Sequence, residues 1–133
     1  MIVGILKEIK VAENRVCMTP AGVEDMCRNE HIVLVETQAG VGSGFSDTAY
    51  LDAGAEIVTT PEEVYRRAEM VMHVKEPQPS EYSLIREGQI VFTYFHFAAE
   101  DRFGVHVGED TVVGIAGHVR ADPLGAVGIP LDS

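Results

Sequence analysis

Short, continuously apolar runs alternate along this chain with polar segments that carry helix-capping residues. IVGIL (2–6), HIVLVET (31–37), AEIV (55–58), MVMHV (70–74) and QIVFTYF (89–95) read as strands. They are apolar throughout, not alternating, as strands covered on both faces require. Between them stand helix starts. Thr19-Pro20 opens a helix through GVEDMCRNE, Ser46-Asp47 a short one to Asp52 with Gly54 as its stop, and Thr60-Pro61 a third through Arg67. A proline-bearing loop (76–80) and a short polar segment precede the fifth run. Strands alternating with helices predict an α/β, doubly wound, mostly parallel sheet with flanking helices, Rossmann-like or flavodoxin-like, in a single domain.

In such a fold ligands gather beyond the carboxyl ends of the strands. The loop after the first run carries Lys7, Glu8, Glu13, Asn14 and Arg15; the fourth run leads to Lys75, the fifth to Tyr94 and His96. Arg15 can hold a carboxylate through two parallel N–H bonds, and Lys75 adds a compact second cation. His96 carries the side chain best suited to exchange a proton near neutral pH. Together they describe a pocket for a small anionic substrate undergoing proton transfer. Each also has a plainer reading: Lys75 as a snorkelling strand end, Arg15 paired with Glu13, His96 as a satisfied core histidine.

The turn GVGSG (40–44) sits between a strand and a helix, which suggests a dinucleotide cradle with Glu36 on the ribose. The match is poor. The spacing is GxGxG instead of GxGxxG, the acidic residue precedes the glycines, and the following helix is short, so a tight turn using positive φ is the better reading.

Composition narrows the partners. The 133 residues suit one domain, and 10 Lys+Arg against 21 Asp+Glu give a net charge of -11, which disfavours nucleic acid. No apolar run approaches the roughly 20 residues needed to span a bilayer. The start MIVGILKEIK lacks a basic region and a small-residue cleavage site, so a cytoplasmic protein without a membrane partner is expected. Cys17 and Cys27 form no CxxC and have no histidine at ligand spacing, so reduced, partly buried thiols are expected and no metal site.

MIVGILKEIKVAENRVCMTPAGV, ETQAGVGSGFSDTAYLDAGAEIV, VKEPQPSEY, REGQIVFTYFHFAA and VVGIA resemble the amino-terminal domain of NAD-dependent alanine dehydrogenase, in the family that also holds the nicotinamide nucleotide transhydrogenase α subunit. The likeness covers residues 1–99 and resumes at 111–116. It implies reversible oxidative deamination of L-alanine to pyruvate and ammonia. By that resemblance Arg15 and Lys75 hold the substrate carboxylate and carbonyl, Tyr94 lines the pocket, and His96 with Lys75 is catalytic. NAD would be held by a second domain, with no cofactor-binding residue in this chain, and a hexameric homo-oligomer is common in the family. Having both VKEP and TYFH favours the dehydrogenase branch over the transhydrogenase.

Two departures qualify the resemblance. Gly104 and Gly108 fall where the family has a helix, each costing a helix interior about 1 kcal/mol. Gly117-His118 replaces a Tyr-Glu pair, and the Gly- and Pro-containing stretch 117–133 reads as a divergent, loosely docked tail beside a domain of residues 1–116. Because no dinucleotide domain is present in the 133 residues, the chain alone is expected to be inactive. A stand-alone module binding a small carboxylate (pyruvate or alanine) and an inactive truncated copy are the alternatives.

Overall fold

The computed structural model describes residues 1–9, 12–75 and 77–93, together with the backbone of three further two-residue strands. Strands β1 (Ile2–Ile5), β2 (Ile32–Glu36), β3 (Glu56–Val58), β4 (Met70–Met72), β5 (Ile90–Phe92) and β6 (Val113–Gly114) form one sheet in the order 3-2-1-4-5-6. Every pairing in it is parallel. The order runs outward from β1 in both directions, so the topological switch lies between β1 and β4. The remaining strands, β7 (Arg120–Ala121) and β8 (Val127–Gly128), pair antiparallel within the stretch expected to be a tail.

Helices α1 (Pro20–Arg28), α2 (Asp47–Asp52) and α3 (Pro61–Arg67) start where the capping residues predict. The Thr19, Ser46 and Thr60 hydroxyls each accept a backbone N–H from the first turn, from Gly22, Ala49 and Glu63. Gly54, at φ +105°, provides the left-handed residue that ends the second helical segment.

Both sheet faces are covered, which explains the unbroken apolar runs. On one face Val64 and Tyr65 of α3 pack with Leu34, Val58, Val71 and Val91. On the other, Val23 of α1 and Tyr50 of α2 pack with Val3, Ile5, Val33 and Val35. The fold is therefore the doubly wound parallel α/β class that the pattern predicts.

The fourth and fifth strands are shorter than the apolar runs suggest. His73 continues the ladder with one N–H bond to the carbonyl of Phe92, at 3.0 Å. Beyond it side chains take over the backbone bonding: the Lys75 N–H donates to Glu8 Oε1 at 2.8 Å, and the Lys75 carbonyl accepts from Thr93 Oγ1 at 2.8 Å. Lys75 thus sits in a bend past β4, not at its tip. The polar segment before β5 contains a 3₁₀ turn, Pro79–Leu84, that buries Glu81.

Candidate functional site

At the switch point, the loop after β1 and the bend after β4 face each other. Side chains from the strand ends hold both. Glu36, at the end of β2, accepts the Lys7 N–H at 2.7 Å. Glu8 accepts the Lys75 N–H, while Thr93 holds the Lys75 carbonyl. Burial pushes the Glu36 carboxyl up, the bond from Lys7 pulls it down, and the net shift is upward. Through that bond its carboxylate shapes the loop after β1.

Arg15 reaches Glu13 through two bonds, Nε to Oε1 and Nη2 to Oε2, both 2.8 Å. The arginine side chain is 65% exposed and that of Glu13 only 6%. Hydrogen bonds from Arg15, opposed by burial, draw the Glu13 carboxyl down to about 2, and the Lys75 charge adds to the effect. So the plain reading of Arg15, an ion pair with Glu13, is present here. It does not displace the functional one, because Glu13 uses only one edge of the guanidinium and leaves the Nη1 side to a second carboxylate.

A cavity of about 390 Å³ opens at this edge, lined by Arg15, Cys17, Ser43, Phe45, His73 and Thr93 among others. A smaller space of about 60 Å³ lies against Lys7, Glu8, Glu13 and Arg15. Arg15 borders both spaces. Lys75 is brought into this region by its main chain and acts electrostatically on Glu13, although its side chain does not line the larger cavity. Tyr94 and His96 lie outside the described residues; Thr93, the last described residue before them, lines the cavity. Burial pushes the Cys17 thiol up to about 11, leaving it protonated and a poor nucleophile. Cys17 and Cys27 are both free and half-buried.

The glycine turn serves this loop. A Cβ on Gly42 would stand 2.8 Å from the Asn14 carbonyl oxygen, and Ser43 Oγ donates to that same oxygen at 2.9 Å. Gly44 takes φ +88° to end a 3₁₀ turn, Val41–Ser43. The turn is therefore packed against the segment carrying Arg15.

The group beneath Lys75 is not legible in the sequence pattern. His73 is enclosed, with Nδ1 2.7 Å from Glu8 Oε2 and Nε2 2.7 Å from Glu81 Oε1. Its side chain is 2% exposed, and those of the two glutamates 3% and 5%. Tyr65 Oη donates to Glu81 Oε1 at 3.1 Å, and the Gln78 N–H to Glu81 Oε2 at 2.7 Å. Burial opposes charge on His73, yet its bonds to Glu8 and Glu81 outweigh that and raise it to about 9. Burial likewise opposes charge on Glu81, but the bond from His73 leads the effects that bring it below the usual carboxylate range. The one signal in the sequence was a histidine inside the apolar run MVMHV. Among the described residues no group of three or more His, Cys, Asp or Glu is arranged to hold a metal, and no helix is long and apolar enough to cross a membrane.

The fold and the paired strand-end loops define a doubly wound domain with its candidate site at the topological switch. Residues 4–118 match the family described as alanine dehydrogenase/PNT, N-terminal domain. The chain belongs to that family. Alanine dehydrogenase of Bacillus subtilis (strain 168) is 53% identical over 116 residues, which cover 87% of this chain and 30% of the relative. A solved L-alanine dehydrogenase superposes with a TM-score of 0.71 at 46% identity, covering 74% of this chain and 27% of that one. A solved transhydrogenase from Sinorhizobium meliloti gives a TM-score of 0.77 at 27% identity, covering 85% of this chain and 34% of that one. The chain thus spans about 30% of the length of the B. subtilis relative.

Proposed function

We propose that this chain supplies the substrate-binding side of an alanine dehydrogenase-like site, acting in the reversible oxidative deamination of L-alanine to pyruvate and ammonia. Arg15 and Lys75 hold the substrate carboxylate and polarise its carbonyl oxygen, Tyr94 lines the pocket, and His96 moves the proton as the carbinolamine forms and collapses. The observation that carries the reading is the pinning of the Lys75 main chain, by Glu8 and Thr93, opposite the Arg15 loop. Cations carried by the segments beyond the carboxyl ends of adjacent central strands suit a small anion. NAD, the family's cofactor by resemblance, would be held by a second domain, with no cofactor-binding residue proposed in this chain. The unit proposed for this role is residues 1–116, with 117–133 separate from it. The dehydrogenase is favoured over the transhydrogenase by the pairing of VKEP with TYFH.

Calorimetric titration of the chain with pyruvate tests the proposal. Lys75→Ala should weaken binding by about 1.5–3 kcal/mol, the range for a charge-assisted contact, with unchanged folding. Equal affinity in the variant removes Lys75 from the site. Binding of pyruvate by the chain without reduction of NAD in the presence of L-alanine would match the expected division of labour.

A further inference from the structure

We infer that His73, clamped between Glu8 and Glu81, is a positioning residue: through Glu8 it sets the main chain of Lys75 against the loop that carries Arg15. The inference deepens the proposed function and rests on it for the role of Lys75. It begins with hydrogen-bond arithmetic. Each ring nitrogen faces a carboxylate oxygen at 2.7 Å. An ionised carboxylate only accepts, so satisfying both contacts requires both nitrogens to donate, and the ring must carry a proton on each. The cation is then matched on both sides inside a nearly closed space.

Every oxygen of the two glutamates has a partner. Glu8 uses Oε2 for His73 and Oε1 for the Lys75 N–H. Glu81 uses Oε1 for His73 and Tyr65, and Oε2 for the Gln78 N–H. Glu8 follows β1 and His73 follows β4, so the chain of bonds ties the two strand ends at the switch point and anchors them to the 3₁₀ turn. The groups facing His73 from the packed elements are Glu8 beyond β1, Glu81 in that turn and Tyr65 on α3, with Glu36 at the end of β2 electrostatically coupled to it. Three are carboxylates, and none supplies a substitute cation. Deprotonated His73 can donate from one nitrogen only, so one of the two clamping bonds is lost and the linkage from Glu81 through His73 to Glu8, and on to the Lys75 N–H, is no longer held at both ends.

The test follows the ring nitrogens of His73 and the amide of Lys75 in the ¹⁵N-labelled full chain from pH 6 to pH 10. The expected result is an imidazolium at pH 7, a slowly exchanging Lys75 amide, and a common midpoint when both change at alkaline pH. A ring protonated on one nitrogen at pH 7, or a Lys75 amide that ignores the titration, would overturn the inference. A double-mutant cycle with pyruvate then isolates action through Lys75. His73→Gln should weaken binding about tenfold in the wild-type background and have no further effect on Lys75→Ala. Additive losses would mean that His73 acts on the fold alone, overturning the inference; should His73→Gln fail to fold, the titration of the wild-type chain decides it. Failure of the wild-type chain to bind pyruvate, alongside a coupled titration, would sink the substrate reading of the site while supporting the His73–Lys75 linkage.

Discussion

Two cation–carboxylate assemblies sit at the same edge of the sheet, built in opposite ways. Arg15 and Glu13 share one loop, two residues apart, with the arginine largely in solvent and the glutamate side chain covered. His73, Glu8 and Glu81 come from three parts of the chain and are closed off from it. A pair in water gains little and exchanges partners readily. Buried charges pay heavily for desolvation and hold only when geometry satisfies them all, so removing one member strands the rest. The contrast separates framework from binding group: the buried assembly fixes where Lys75 stands, whereas the outer one leaves the Nη1 side of Arg15 open to a ligand.

The sharpest way to break the comparison is to remove the buried cation. His73→Leu leaves Glu8 and Glu81 facing each other without compensation and should cost about 3–5 kcal/mol in urea unfolding near neutral pH. A loss below ~1 kcal/mol would mean that the glutamates reach water or protonate cheaply.

A milder version uses pH alone. His73 is raised from 6.5 to about 9 in the folded chain, so folding takes up a proton between those values. Its contribution is complete below the unfolded value, near 6.5, and is lost as pH rises through about 9, on the order of 3 kcal/mol. Urea midpoints measured across that window should fall, and the fall should vanish in a chain carrying both His73→Gln and Glu81→Gln.

The smallest effect belongs to the exposed pair. Glu13→Gln should lower the urea midpoint only slightly, since Arg15 remains solvated, and should strengthen pyruvate binding by removing a negative charge beside the guanidinium's open Nη1 side. Weaker binding in that variant would show that Glu13 orients Arg15 for the ligand instead of competing with it.

The fold was legible because its determinants are local. Apolar runs without alternation demand cover on both faces, and Thr19, Ser46 and Thr60 announce helix starts through bonds spanning three residues. Strand ends were less legible. His73 and Val74 continue an apolar run that leads to Lys75, but the bonds past the end of β4 come from Glu8, far back in the chain, and from Thr93 beyond β5. The glycine turn shows the same limit: its sequence marks a tight turn, and only the approach of Asn14 to Gly42 reveals what the missing Cβ makes room for.

By itself the sequence determined the alternation of strands and helices, the parallel sheet and the assignment of Arg15 and Lys75 to the segments that follow β1 and β4, since periodicity, capping and chain direction act over a few residues. The tertiary structure alone decided that Glu8, His73 and Glu81 meet. Glu8 and His73 are 65 positions apart, and a buried charge can be recognised only once the groups that exclude water from it are in place.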